Sequence, residues 1–201
     1  MKKIIIAIDS FKGCLTSAEA GKAAEKGIKS INPFCHTSVI PIADGGEVLR
    51  DVPITATKGK YITLSAHGPL MKMAKTHYGL SGNGRTAIIE MAAISGLPLV
   101  PIEQRNPMLT TTFGTGELIK DALNKGCRNF IIGIGGSATN DAGLGMLQAL
   151  GFRFLDKSGH TLGTGGQIME AVANIDTSGI HPALRETHFM VACDVANPFY
   201  G

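Results

Sequence analysis

Four acids stand at or just past the ends of apolar, strand-like runs: Asp9 after 3–8, Asp44 and Glu47 after 37–42, and Asp194 after 188–192. Carboxylates gathered at strand ends could hold a magnesium ion through a few oxygens, or accept a proton from a substrate hydroxyl. Lys12, in the loop behind the first run, offers a mobile ammonium that can neutralise phosphate charge. Gly135-Gly136-Ser137-Ala138-Thr139-Asn140-Asp141 places backbone N–H groups and two hydroxyls ahead of a helical stretch, where the helix dipole favours a phosphate or a carboxylate. Arg105, beside Asn106-Pro107, and the run Thr110-Thr111-Thr112 add a guanidinium fork and hydroxyls suited to a carboxylate. Each feature also has a plainer use. The acids can close Asx turns or cap helices, Lys12 can be solvated, and Thr139 or Asn140 can be the N-cap of a tight strand-to-helix turn. Arg105 and the threonines can serve as a surface salt bridge and a capping run.

These residues depend on alternating elements to bring them together. The continuous β-branched run 3–8 predicts a central parallel strand covered on both faces. Thr16 or Ser17 then caps a helix to about residue 30, with Glu19 in its first turn. A second strand over 37–42 delivers Ala43-Asp44-Gly45-Gly46-Glu47. Shorter alternating segments near 54–57, 60–66, 72–80 and 85–90, parted by Lys58-Gly59, Gly68-Pro69 and Ser81-Gly82-Asn83-Gly84, predict antiparallel hairpins. A helix is expected at about 116–125 with Leu118, Ala122 and Leu123 inward. A buried strand at 129–134, a helix near 142–150 and a final buried strand at 188–192 follow. Strand, glycine loop and helix recur in order, so the acids and glycines are expected at the ligand-binding edge of open α/β sheets.

Composition narrows the function classes. With 44% hydrophobic and 17% charged residues the 201-residue chain reads as ordinary globular protein. A net charge of +3 with scattered Lys and Arg gives no footprint for a nucleic acid or a membrane surface. No apolar run approaches the ~20 residues that span a bilayer, and Met1-Lys2-Lys3-Ile4 opens no signal peptide, so a cytoplasmic protein is expected. Cys14, Cys35, Cys127 and Cys193 lack disulfide or zinc spacing, and the six histidines fall in no ligand pattern. The 26 glycines exceed the average of about 7% and cluster between apolar runs, as backbone-lined ligand loops would. The glycine segments lack the Walker ending and the GxGxxG spacing. A Rossmann-type dehydrogenase would need that spacing after the first strand, where Asp9-Ser10-Phe11-Lys12-Gly13 stands instead. The residues alone therefore describe an anion-binding α/β protein with acid-rich strand ends, equipped as a phosphotransferase; a non-catalytic sugar-acid or nucleotide-binding module is the alternative.

Six ordered motifs together resemble the bacterial glycerate kinase family of the first type. They are Asp9-Ser10-Phe11-Lys12-Gly13, Ala43-Asp44-Gly45-Gly46-Glu47, Arg105-Asn106-Pro107, Thr110 to Ile119, Gly133 to Asp141, and Ala192 to Pro198. The resemblance implies an ATP- and magnesium-dependent kinase acting on D-glycerate, with 2-phosphoglycerate the favoured product. It implies two α/β domains, one a flavodoxin-like parallel sheet over 1–58 and one a mixed-sheet, restriction-enzyme-like domain over 59–201, with the active site between them. Lys12, Asp44 and Asp194 are the expected catalytic residues, and Asp44 and Asp194 the expected magnesium ligands. Ser10, Gly45, Gly46, Glu47, Arg105, Thr111, Gly135, Gly136, Ser137, Thr139, Asn140 and Asp141 are expected to bind substrate or phosphate. A homodimer is left open. Two departures stand out: family members are nearly twice this length, so a C-terminal segment completing the first domain is expected beyond Pro198, and Val48-Leu49-Arg50 replaces the usual Gly-Thr and longer helix after Glu47.

Overall fold

The computed structural model describes residues 3–9, 11, 14–42, 54 and 56–193. Strand β1 (Lys3–Ile8) pairs in parallel with β2 (His36–Pro41), joined by helix α1 (Ser17–Ile31). The helix starts where local chemistry dictates. Thr16 Oγ1 accepts from the Glu19 N–H at 3.2 Å while the Glu19 carboxylate accepts from the Thr16 N–H at 2.9 Å, a reciprocal capping box. Buried Ser17 donates its hydroxyl to the Ile8 carbonyl and accepts from the Ile42 N–H at 3.0 Å, tying the ends of both strands to the helix start. Among the described residues β1 is covered on one face, not on both as expected. Ile6 is buried but Ile5 is 68% exposed, because α1 covers one face and nothing described covers the other.

The main sheet runs β3-β4-β5-β6-β9: β3 (Lys60–His67), β4 (Met73–Leu80), β5 (Thr86–Glu90), β6 (Asn129–Gly133) and β9 (His188–Ala192). The first three are antiparallel, the last three parallel. Its core joins Ala66, Tyr78, Ala87, Ile89 and Phe130 to Leu118, Ile119, Ala122 and Leu123 of helix α3 (Phe113–Asn124), with Ile94 from the short α2 (Ala92–Ser95). Burial pushes the Tyr78 phenol above its ordinary range, helped by its 2.8 Å hydrogen bond to Asp121. Helix α4 (Leu144–Ala149) packs on α3, where a Cβ on Gly116 would run into the Met146 carbonyl and the Ala149 methyl. Gly116 thus serves helix contact, at a cost in helix propensity of about 1 kcal/mol that the close approach offsets. A small antiparallel pair, β7 (Arg153–Leu155) and β8 (Asn174–Asp176), completes the described strands.

Several expectations are corrected. Ile54, Ala56 and Thr57 are helical rather than extended, and Ile54 is buried where it meets Gly79 of β4. The alternation of apolar residues there is too short to separate the two periods. Helix α3 begins three residues earlier than expected. The final strand has the expected bounds but is an edge among the described residues rather than a buried strand: Phe189, Met190 and Val191 are 44%, 65% and 56% exposed, and among those residues β9 pairs with β6 alone. Cys35 and Cys127 are buried, Cys14 and Cys193 exposed.

Candidate functional site

Register places the functional edge. Glu90 pairs with Gly133 and Gly133 with Ala192, so the carboxyl ends of β5, β6 and β9 lie side by side, where parallel sheets present their ligand loops. The loop leaving β6 is fastened at three points. The Leu97 N–H donates to the Gly136 carbonyl at 3.0 Å, the Ala138 N–H to the Ser95 carbonyl at 2.9 Å, and the Thr110 hydroxyl to the Ala138 carbonyl at 2.8 Å. Within it, the Thr139 N–H donates to Ser137 Oγ at 3.0 Å and the two hydroxyls share a 2.8 Å hydrogen bond. Gly136, at φ +70°, takes the left-handed turn that lets the loop double back.

Asp141 holds this loop to the threonine run. Its carboxylate is 1% exposed and accepts from the Thr112, Gly143 and Gly145 N–H groups at 2.8, 3.1 and 3.2 Å. The hydroxyls of Thr111 and Thr112 donate to it as well, at 3.1 and 3.0 Å. All the donors are neutral, so the buried charge is held by hydrogen bonds alone. Two expectations change in consequence. Neither Thr139 nor Asn140 caps α4: Gly143 is the N-cap, and the Asp141 side chain satisfies the turn. The seat expected for an external anion at that helix start is taken by the protein's own carboxylate, and α4 has only six residues.

Beside the loop lies a recess of about 280 Å³ between the 97–107 segment and residues 137–140. Leu97, Val100, Pro107 and Ala138 give it apolar walls; Arg105, Asn106, Ser137, Thr139 and Asn140 give it polar groups. Arg105 is oriented by its Nε–H, which donates to the Val100 carbonyl at 3.3 Å. Asn106 turns its own segment, its Oδ1 accepting from the Met108 N–H at 3.0 Å. A Cβ at Gly166 would press on the Pro107 and Asn140 carbonyls, so the 163–167 segment backs both walls. No carboxylate lines the recess among the described residues, and Asp141 behind it is saturated with donors, so the recess does not fit a magnesium ion. No group of three or more His, Cys, Asp or Glu suited to a metal occurs among the described residues either.

The structure therefore brings Arg105, Ser137, Thr139 and Asn140 to one recess, and sets Thr111 and Asp141 behind it. Gly135 and Gly136 form the turn that leads in. Ser10, Lys12, Asp44, Gly45, Gly46, Glu47 and Asp194 lie outside the described residues; Cys193, which follows β9 at the same edge, is the described neighbour of Asp194. Sequence reasoning missed Leu97 and Val100 as walls, Gly166 as backing, and the buried Ser95–Thr115 hydroxyl pair at 2.8 Å. A cluster such as Thr164-Gly165-Gly166 was a signal for close backbone approach.

Comparison with known proteins agrees with the motifs. Residues 4–201 match the model of the glycerate kinase family. A Bacillus subtilis protein named glycerate kinase is 52% identical over 199 residues, covering 99% of this chain and 52% of its own length. An Escherichia coli protein named glycerate 2-kinase is 49% identical over 199 residues, again 99% of this chain and 52% of its own. The crystal structure of a Salmonella typhimurium LT2 protein, provisionally named glycerate kinase 2, superposes with a TM-score of 0.84 at 48% identity. It covers 100% of this chain and 54% of that one. The chain spans about half the length of the curated relatives it matches.

Proposed function

Because the chain belongs to the glycerate kinase family, we propose that the whole protein transfers the γ-phosphoryl group of ATP to a hydroxyl of D-glycerate. The observation that carries this reading is the 52% identity along the whole chain, which takes in every motif loop. The name of the Escherichia coli relative supports 2-phosphoglycerate as the product. Phosphoryl transfer is mostly positioning and charge stabilisation, and the residues divide accordingly. Lys12 neutralises charge on the moving phosphoryl group. Asp44 and Asp194 hold magnesium, which when bound offsets phosphate charge. Ser10, Gly45, Gly46, Glu47, Gly135 and Gly136 line the loops that receive the two substrates. Arg105, Ser137, Thr139 and Asn140 bind in the recess, which Thr111 and Asp141 hold in shape.

The two-domain division at 1–58 and 59–201 belongs to the same proposal. The exposed Ile5 and Ile40 on the open face of the β1–β2 pair support a further segment packing there. No described helix is long and apolar enough to cross a membrane. Action in the cytoplasm, where ATP is supplied, completes the reading, with a homodimer left open. Steady-state assay of the full-length protein with ATP, magnesium and D-glycerate tests it. Glycerate-dependent ATP consumption is expected, and its absence sinks the proposal. Lys12→Ala should lower kcat by about two to three orders of magnitude while leaving the KM for D-glycerate nearly unchanged; an unchanged kcat removes Lys12 from the mechanism.

A further inference from the structure

Given the proposed kinase activity, on which this rests, the geometry points to the recess beside residues 137–140 as the seat of the hydroxy acid, its carboxylate on Arg105, and not of the nucleotide phosphates. Charge is the first reason. Arg105 is the single charged side chain among the described residues lining the recess. One guanidinium matches one carboxylate, whereas a triphosphate needs several cations and a run of converging N–H donors. The loop does not keep such a run, because the Ala138 and Thr139 N–H groups donate to the Ser95 carbonyl and Ser137 Oγ. Those of Gly143 and Gly145 donate to Asp141.

The remaining polar groups suit a polyol acid. Nε of Arg105 is tethered to the Val100 carbonyl, and its two terminal nitrogens have no partner among the described residues, which leaves the fork presented for a bidentate contact. The Asn140 amide likewise has no described partner, so it can donate and accept at once, as a substrate hydroxyl requires. The Ser137–Thr139 hydroxyl pair is bonded within the loop, Ser137 Oγ also donating to the Thr139 carbonyl at 3.3 Å, which leaves Thr139 Oγ1 to accept from a substrate hydroxyl. Size agrees: about 280 Å³ lies at the small end of ligand sites, and the apolar walls can take the carbon skeleton of a short acid.

The experiment is steady-state kinetics of the full-length enzyme with Arg105 replaced. Arg105→Ala should raise the KM for D-glycerate about one hundred-fold, with the KM for ATP changed by no more than about twofold. Arg105→Lys, keeping the charge and losing the fork, should fall between, near tenfold. A rise in the KM for ATP alone, equal rises in both, or no change in either would overturn the inference. The side chain is exposed and held by one hydrogen bond, so an unchanged melting temperature is expected; were the alanine variant not to fold, Arg105→Lys reads the same split. Should the wild-type protein fail to turn over ATP with D-glycerate, the proposed function fails first. Calorimetric titration of D-glycerate and of ATP into wild type and Arg105→Ala then decides the recess: selective loss of D-glycerate binding supports it, and loss of ATP binding or of neither overturns it.

Discussion

Two parallel strand pairs in this molecule are written in nearly the same residues and end in different surroundings. Ile4-Ile5-Ile6 of β1 and Ile88-Ile89 beside Phe130-Ile131-Ile132 of β5–β6 are all continuous apolar runs. In β5–β6, Ile89 and Phe130 are at most 1% exposed in the core they share with α3, and Ile88, on the opposite face, is 1% exposed near Gly79 and Ile54. In β1–β2 the side facing α1 is packed, while Ile5 and Ile40 are 68% and 47% exposed. An apolar run states that both faces of a strand tolerate burial; what covers them is decided by elements far away in the chain. The loop that β6 supports is fastened at three points, by hydrogen bonds with Ser95, Leu97 and Thr110, and lines the recess.

The widest gap is expected in core deletions. Phe130→Ala should destabilise the protein by about 3–5 kcal/mol, the loss of a fully buried ring plus the cavity it leaves. Ile5→Ala in the 201-residue chain should stay within about 0.5 kcal/mol. Urea unfolding midpoints at constant slope measure both. Equal costs would break the comparison by showing that the Ile5 face is covered, and a larger cost for Ile5→Ala in the full-length protein would sharpen it.

The next effect concerns the clamp behind the recess. Asp141→Ala strands donors from Thr111, Thr112, Gly143 and Gly145 in a dry interior, where each unsatisfied group costs about 1–3 kcal/mol before relaxation. A net loss of about 3 kcal/mol is expected, with the Ser137–Asn140 loop losing protection from hydrogen exchange while the β5–β6 amides keep theirs. Asp141→Asn keeps the shape but turns one acceptor into a donor facing donors, so it should recover only part of the loss. Full recovery by asparagine would mean that the charge has no part in holding the loop.

How much of this was legible follows from how local each cause is. The capping box needs Thr16 and Glu19, three residues apart, and the start of α1 was read correctly. The hairpins β3–β4 and β4–β5 were announced by their own turn residues. Asp141 belonged to the motif, yet its role as the internal partner of Thr111 and Thr112, about thirty residues earlier, leaves no trace in local spacing. Gly116 and Gly166 were counted with ligand-loop glycines, although helix contact and backbone packing require them. Arg105 was singled out for its fork; its wall partners Leu97 and Val100 were not, because apolar residues near a proline read as ordinary loop. Lys12, Asp44 and Asp194 fall outside the described residues, so their proposed catalytic roles stand on the family resemblance.

The smallest effect is expected in the third strand pair, β7–β8, which lies at the surface and is joined across its strands by an ion pair between Arg153 and Asp176. Here electrostatics replaces burial. The Asp176 carboxyl is held well below the usual carboxylate range, chiefly by the Ser178 N–H at 2.8 Å and then by Arg153. A carboxyl whose folded value is depressed stabilises the fold above its unfolded value near about 4, and that contribution is lost as the pH falls below it. Asp176→Asn should therefore leave the protein slightly less stable near neutrality and flatten the decline of the urea midpoint between about pH 5 and pH 2. Arg153→Ala should flatten it less, because the turn N–H remains and an exposed ion pair contributes little. High salt should bring wild type toward Arg153→Ala without touching the remaining slope, since screening acts on the pair and not on the short hydrogen bond. If Arg153→Ala flattened the acid limb as fully as Asp176→Asn, the ion pair rather than the turn would govern the shift, and β7–β8 would be held chiefly by charge across its strands.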